Sequence, residues 1–112
     1  MPYEKAAVTD VESSLPKESD AGMFMLKDEL DTDELGFTVL TMEPGSEGMT
    51  HDHTDSGQEE IYYVVDGGVD VDFGTETVAL EEREAIRIDP EEERQIRNRD
   101  HFSELVLVGA PI

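Results

Sequence analysis

The residues best suited to chemistry in this chain are two histidines and a nearby glutamate. His51 and His53 are two positions apart, and Glu60 follows at the start of a β-rich run that ends in a glycine turn. Because residues i and i+2 of a strand point to the same face, both imidazoles can be directed at one point. A carboxylate from the next strand would complete a two-His-one-carboxylate set of ligands. The spacing therefore predicts a divalent metal site at His51, His53 and Glu60.

The predicted ligand set does not fix the metal. Three protein ligands leave open positions on an octahedral ion, which suits Fe(II), Mn(II) or Ni(II), whereas Zn(II) takes three ligands plus a water. An open position permits activation of a carbonyl, of water or of dioxygen. The alternative is a site without metal, in which the imidazoles are hydrogen-bonded to Glu60 or to solvent.

The elements that must position these residues are strands. From Phe37 onward, short apolar runs and turn signals alternate every eight to twelve residues, which is typical of an all-β sandwich or barrel. The sequence Asp66-Gly67-Gly68 predicts a hairpin turn. We interpret residues 1–22 as an N-terminal arm that can lend one edge strand, and residues 23–112 as the barrel domain. The predicted strands are 37–42, 49–53, 60–65, 69–73, 75–80, 85–88, 94–99 and 104–108.

Composition limits the function classes. The chain has 112 residues, which is enough for one domain with a single core, and its net charge is −21, from 29 acidic and 8 basic residues. Nucleic acids and anionic membrane surfaces are unexpected partners, because both require a basic patch. The chain has no cysteine, so disulfides and thiolate sites are excluded. It shows no signal-peptide pattern and no apolar membrane span, so we expect a cytoplasmic location.

The strong acidity has two interpretations. The first is solubility through net repulsion between molecules. The second is adaptation to a high-salt cytoplasm, where salt screens the repulsion that would otherwise strain the compact state. Only three lysines accompany the 29 acidic residues, and this balance resembles that of halophilic archaeal proteins. We therefore expect a halophilic archaeal origin.

The segment 45–67, GSEGMTHDHTDSGQEEIYYVVDG, resembles the first sequence motif of the cupin superfamily, a family of small jelly-roll β-barrels. The family pattern is G, five residues, H-x-H, a short loop, E, six residues and G. Here six residues separate His53 from Glu60, where the family usually has three or four. Counting forward from His53 would select Gln58 as the third ligand. The strand IYYVVDG sets the register from its other end and favours Glu60.

The second family motif departs further from the pattern. It reads P-x-x-x-H-x-x-x-N, where the histidine supplies a fourth ligand. In this chain Pro90 and Asn98 align with it, and Arg94 stands at the histidine position. Three placements of Arg94 stay open: an inward side chain that clamps an anionic substrate, an ion pair with Glu60 that replaces the metal, or exposure to solvent beside the acidic run before it.

The resemblance, which covers about residues 36–109, implies an all-β, single-domain jelly-roll (cupin) barrel of about eight strands. It also implies a homodimer formed through an edge strand, because single-domain members commonly dimerise. Besides the metal ligands, we expect Arg94, Tyr62 and Gln58 to contact a small, anionic molecule. Two function classes stay open: a metal-dependent enzyme of dioxygenase or isomerase type, and a non-catalytic, metal-free binding or sensing module.

Overall fold

A computed structural model describes residues 2–112 of the chain. Its helical parts are a 3-10 turn, Val8–Asp10, and one turn of α-helix, α1 (Lys27–Leu30). Within the described residues, no helix is long and apolar enough to span a membrane. The remaining regular elements are eight strands: β1 (Ala21–Met25), β2 (Gly36–Met42), β3 (Glu59–Asp66), β4 (Gly68–Asp72), β5 (Thr77–Glu81), β6 (Ala85–Ile88), β7 (Gln95–Asn98) and β8 (Ser103–Ala110).

The strands form two antiparallel sheets. The first has five strands in the order β1-β2-β8-β3-β6, and the second has three in the order β5-β4-β7. The last strand of the chain, β8, lies between β2 and β3. The centre of this sheet is therefore held together by contacts between residues that are distant in sequence. The prediction of an all-β, single-domain jelly-roll barrel is confirmed.

The core lies between the inner faces of the two sheets. In β4, Val69 and Val71 are fully buried, while Asp70 and Asp72 between them are partly exposed, the period-two pattern of a strand with one buried face. Buried and exposed residues also alternate along most of β3. A register shift of one residue would turn its inward side chains outward, so packing in the core fixes the register of this strand. The buried core residues are Leu40, Met42, Tyr62, Val64, Val69, Val71, Leu80, Ile88, Ile96 and Leu105.

The predicted strand 49–53 is wrong, because this segment belongs to neither sheet. It makes one isolated bridge, in which the His51 N–H donates to the Arg94 carbonyl at 3.0 Å and the Arg94 N–H donates back at 2.9 Å. The segment follows the rim of the barrel, where Met49 is 81% exposed. One further backbone bond, from the His53 N–H to the Pro90 carbonyl at 2.8 Å, anchors it. The extended rim still places the two imidazole centroids 5.1 Å apart.

The predicted hairpin at residues 66–68 is also wrong, because β3 and β4 belong to different sheets. Gly67 has a φ of +88°, and a Cβ there would lie 2.4 Å from Ser103 Oγ and 2.6 Å from the carbonyl oxygen of Phe102. Only glycine combines this backbone conformation with so close an approach. The glycine pair therefore forms a corner that passes the chain from one sheet to the other.

The N-terminal segment is tied to the edge of the five-stranded sheet. Ser14 N–H donates to the Met23 carbonyl at 2.8 Å, and Met23 N–H donates to Ser13 Oγ at 2.9 Å. These bonds satisfy part of the free edge of β1, which pairs on its other side with β2. The division of the chain into an arm, 1–22, and a barrel domain, 23–112, stays a prediction.

Candidate metal centre

Three side chains converge at one end of the barrel. His51 and His53 come from the extended rim, and Glu60 comes from the start of β3. Glu60 Oε1 lies 3.1 Å from His53 Nε2 and 3.8 Å from His51 Nε2. One possible ligand atom of each residue lies within 4.8 Å of the other two. The group therefore presents two nitrogen donors and one oxygen donor, a set that suits first-row divalent metals.

A backbone carbonyl orients the ring of His51. Its Nδ1 lies 3.1 Å from the carbonyl oxygen of Met49. In the neutral tautomer that carries its proton on Nδ1, this nitrogen donates to the carbonyl, and Nε2, on the side of Glu60, has its lone pair available for a metal. Metal-ligating histidines are commonly held in this way, with the second ring nitrogen donating to a carbonyl or carboxylate.

Arg94 lies beneath the three candidate ligands, and its side chain is 0% exposed. Its Nη2 donates to Glu60 Oε1 at 2.5 Å, and its Nε donates to the Tyr62 hydroxyl at 3.3 Å. Its Nη1 donates to the carbonyls of Asp89 at 3.3 Å and Glu92 at 2.8 Å. The placement of Arg94 in solvent is therefore excluded, and the guanidinium is paired with the carboxylate.

Tyr62 closes a hydrogen-bonded triangle with this ion pair. Its hydroxyl donates to Glu60 Oε1 at 3.3 Å and accepts from Arg94 Nε. Burial, and the negative charge of Glu60, raise the pKa of Tyr62 to about 12. The phenol is therefore neutral and available as a donor over the whole physiological range.

The charges of the centre reinforce one another. Burial would raise the pKa of Glu60, but the imidazole of His51 and the guanidinium of Arg94 outweigh it and lower this pKa to about 2. The interaction with Glu60 raises the pKa of His51 above its usual 6.5, against the opposing effect of burial. Glu60 is thus ionised at neutral pH, as a metal ligand must be.

A cavity of about 400 Å³ adjoins the three candidate ligands, and a second cavity of about 470 Å³ shares His51, Met23 and Leu107 with it. The lining of the second is dominated by apolar side chains from both sheets and from the N-terminal segment. The first, which we call the metal-side cavity, is lined by Met23, Met25, Lys27, Gly36, Phe37, Thr38, His51, His53, Ser56, Gln58, Glu60, Leu107, Gly109, Pro111 and Ile112.

The three residues predicted to contact substrate occupy different places. Gln58 lines the metal-side cavity, where its Nε2 donates to the Pro111 carbonyl at 3.2 Å. Its side chain fills the space above Gly109, where a Cβ would lie 2.7 Å from the Gln58 Cδ. Tyr62 is part of the wall of the second cavity. Arg94 lies behind Glu60 and is enclosed by protein.

Sequence reasoning missed one charged residue of the metal-side cavity. Lys27 begins α1, one residue after the end of the edge strand β1, and contributes to the cavity wall. The sequence around it, KDELDTDELG, reads as an acidic turn. The scarcity of lysine in the chain was the one available signal, because each of the three lysines is an exception to the acidic composition.

A family comparison supports the architecture independently. The family model described as the Cupin domain matches residues 38–108, the part of the chain that holds the candidate ligands and strands β3 to β7. No curated protein matches the chain.

Solved structures share the fold at low sequence identity. An RmlC-like cupin from Shewanella frigidimarina is 17% identical, with a TM-score of 0.77 and coverage of 100% of this chain and 96% of that chain. A sugar phosphate isomerase of the cupin superfamily from Silicibacter pomeroyi is also 17% identical, with a TM-score of 0.77 and coverage of 96% and 76%. An HTH_3 family transcriptional regulator from Vibrio cholerae is 17% identical, with a TM-score of 0.75 and coverage of 90% and 56%. These similarities show the fold alone.

Proposed function

The chain belongs to the cupin domain family, and on this premise we propose that it binds one divalent transition metal ion through His51, His53 and Glu60. The ion is Fe, Mn, Ni or Zn. The metal-side cavity then receives a small, anionic molecule, which the protein converts or binds. The observation that carries the proposal is the convergence of two imidazoles and one ionised carboxylate within 4.8 Å at the wall of a cavity of about 400 Å³.

The residues of the chain prepare this site in three ways. The Met49 carbonyl orients His51, Arg94 and Tyr62 hold Glu60 in place, and the low pKa of Glu60 keeps it ionised. A bound ion would supply Lewis-acid activation of a carbonyl or of water, chemistry that fits an isomerase, and a redox-active ion such as Fe(II) would also supply the dioxygen chemistry of a dioxygenase. The interpretation of Arg94 as a substrate clamp stays a prediction, whereas its burial and its bond to Glu60 favour a positioning role.

One observation favours a second candidate, a metal-free binding or sensing module. Glu60 Oε1 already accepts hydrogen bonds from Arg94 and Tyr62 and lies 3.1 Å from His53 Nε2. Among the described residues, no buried side-chain nitrogen or oxygen lacks a partner. The polar network is therefore satisfied without an ion, as a barrel that uses only its cavity would require.

Metal analysis of protein purified without chelators or a histidine tag separates the two candidates. We expect about one equivalent of a transition metal by mass spectrometry, the stoichiometry of one three-ligand site, and its loss in His51→Ala and in His53→Ala. His101→Ala is the matched control, because His101 is exposed and outside the candidate group. Wild-type protein that stays metal-free after incubation with excess Fe(II), Mn(II), Ni(II) and Zn(II) would establish the metal-free module instead.

We also propose that the chain forms a homodimer through the edge of the five-stranded sheet. The strand β6 is one edge of this sheet, and a partner strand beside it would lie next to the outer face of β3, where Ile61 and Val65 are each 43% exposed. Exposed apolar side chains of this kind are typical of an interface centre. Light scattering at several concentrations tests the mass, and Ile61→Lys should give a monomer.

Adaptation to a high-salt cytoplasm, and with it a halophilic archaeal origin, is proposed from the charge. A net charge of −21 over 112 residues generates repulsion between carboxylates, and 1 M salt screens this repulsion at separations beyond the Debye length of about 3 Å. Thermal unfolding should therefore shift to higher temperature between dilute buffer and 2 M potassium chloride. Equal unfolding temperatures in the two buffers would contradict this origin.

A further inference from the structure

We propose that Lys27 is the anion-recognising residue of the metal-side cavity, and that the ligand is a small amphipathic anion. The charged group of the ligand pairs with Lys27, and its apolar body lies along the cavity wall. This inference rests on the proposed function, because it names the ligand class of the same cavity and the residue that selects it.

The wall of the metal-side cavity carries little negative charge. The chain has 29 acidic residues, yet Glu60 is the one acidic residue among the fifteen that line the metal-side cavity. The charge of Glu60 is already balanced by Arg94 at 2.5 Å. The cavity is therefore a region without excess negative charge in a strongly acidic protein, and a bound metal ion would make it positive.

Lys27 has no carboxylate partner within the described part of the chain. Among residues 2–112, no ion pair includes Lys27. By contrast, Arg87, Arg97 and Arg99 each pair with two carboxylates. Lys27 as a residue is partly buried and lines the cavity, and its ammonium can donate up to three hydrogen bonds. An anionic ligand would accept such bonds and supply a counter-charge.

The buried cationic side chain near the cavity, Arg94, is not free to bind an anion. The guanidinium of Arg94 donates to four oxygens and is fully enclosed. An ammonium on a flexible stem can approach a ligand that enters the cavity, whereas this guanidinium would have to break its bonds to Glu60 and Tyr62 first. Lys27 is therefore the anion-recognising group that the cavity offers.

Much of the remaining cavity wall is apolar and can adapt to the shape of a ligand. Two of its residues are methionines on the edge strand next to Lys27, and methionine side chains adjust to ligands of different shape. An apolar ligand body gains affinity here by leaving water. The apolar residues of the wall are Met23, Met25, Phe37, Leu107, Pro111 and Ile112.

A matched set of three probes separates the two parts of the ligand. Octanoate has both an anionic group and an apolar body, 1-octanol has only the apolar body, and acetate has only the charge. We expect calorimetry on chelator-treated wild-type protein to show octanoate binding at least tenfold tighter than either of the others. Removing the metal matters, because a carboxylate can also bind the ion directly.

Substitution then assigns the anion preference to Lys27. Lys27→Met should reduce the octanoate-to-octanol preference from at least tenfold to less than twofold and leave octanol affinity unchanged. Lys27→Arg should retain the preference. Lys17→Met changes the net charge by the same amount at an exposed position and should behave as wild type. A preference that survives Lys27→Met, or the absence of octanoate binding at millimolar concentration, would overturn the inference.

Metal titration of the same variants distinguishes a failure of the Lys27 inference from a failure of the proposed metal site. Lys27→Met should bind Co(II), followed by its visible absorption, with wild-type affinity, because Lys27 is not a candidate ligand. If wild-type protein binds no metal but the Lys27-dependent preference is present, the metal proposal fails and the inference stands. If metal binds and the preference is absent, the inference alone fails.

Discussion

Two arginine–carboxylate networks in this barrel use the same chemistry in different surroundings. Arg94 pairs with Glu60 at 2.5 Å beneath the candidate metal centre, and its side chain is 0% exposed. Arg99 pairs with Asp70 at 2.9 Å and with Glu81 at 2.7 Å on the outside of the three-stranded sheet, where the side chain of Glu81 is 58% exposed. The bond lengths are similar, so the main difference between the networks is solvent.

Solvent decides what each network contributes. At the exposed network, water and salt screen the charges, and each partner is well hydrated when the other is removed. At the buried network, removal of one partner leaves an uncompensated charge in a poorly polarisable environment. The buried Arg94–Glu60 pair therefore controls the charge and position of the candidate ligand Glu60, whereas the exposed Arg99 network contributes mainly local stability.

Arg94→Met should produce the largest loss of stability. It leaves Glu60 buried without a counter-charge and removes the donor that holds the Asp89 and Glu92 carbonyls, so we expect about 3 to 5 kcal/mol less unfolding free energy. Chemical denaturation of metal-free protein measures this. If the candidate centre binds metal, excess Zn(II) should recover part of the loss, because the cation replaces the missing positive charge. A loss below that of Arg99→Met would contradict the comparison.

Glu60→Gln should change how stability depends on acid. Because the pKa of Glu60 is about 2 in the folded chain and 4.5 ordinarily, the unfolded state binds more protons between these values, and stability falls as pH decreases through this window. The variant lacks this group and should show a shallower decrease than wild type. Denaturation of both metal-free proteins from pH 5 to pH 2 measures the difference. Parallel curves would show that Glu60 is not held ionised.

Tyr62→Phe tests the neutral member of the buried network. The substitution removes one hydroxyl that donates to Glu60 and accepts from Arg94 while the ring stays in place. We expect a loss of about 1 to 2 kcal/mol in unfolding free energy at neutral pH. Tyr63→Phe, on the opposite face of the strand, is the matched control and should be nearly neutral.

Arg99→Met should have the smallest effect. We expect a loss of at most about 1 kcal/mol in dilute buffer. The loss should be smaller in 1 M potassium chloride, because the Debye length there falls to about 3 Å and the attraction between exposed charges is weakened. The loss in Arg94→Met should depend much less on salt. Chemical denaturation of both variants at two salt concentrations measures these losses of unfolding free energy. An equal salt dependence in the two variants would contradict the proposed difference between the networks.

Much of the barrel could be predicted because its strands alternate in residue type. The run VDVDF identifies β4 unambiguously, and its buried valines occupy the expected face. The rim at 49–53 was wrongly predicted as a strand. An extended segment with one isolated bridge and a strand of a sheet use the same residue types, and they differ only in how many of their residues pair with a neighbouring strand. Gly67 was wrongly predicted as part of a hairpin. A glycine with a positive φ serves a tight hairpin turn and, in this chain, the corner between the two sheets equally well.

The candidate site could be predicted less completely. The spacing of His51, His53 and Glu60 reflects local geometry, and the structure brings the three together. The orientation of Arg94 depends on its pairing across the barrel with Glu60, 34 residues away. The position of Lys27 depends on β1 packing at the sheet edge. Contacts between distant segments leave no periodic signal in a single sequence.

Gly109 gives the barrel a position where specificity can change without loss of its metal ligands. A methyl group at residue 109 would meet the flexible end of Gln58, 2.7 Å away, rather than rigid backbone, so the amide would move and the cavity would change shape. In an evolving or engineered lineage, a single alanine or serine here would alter which ligands fit, while His51, His53 and Glu60 remained untouched. The width of the binding site is thus adjustable separately from its chemistry.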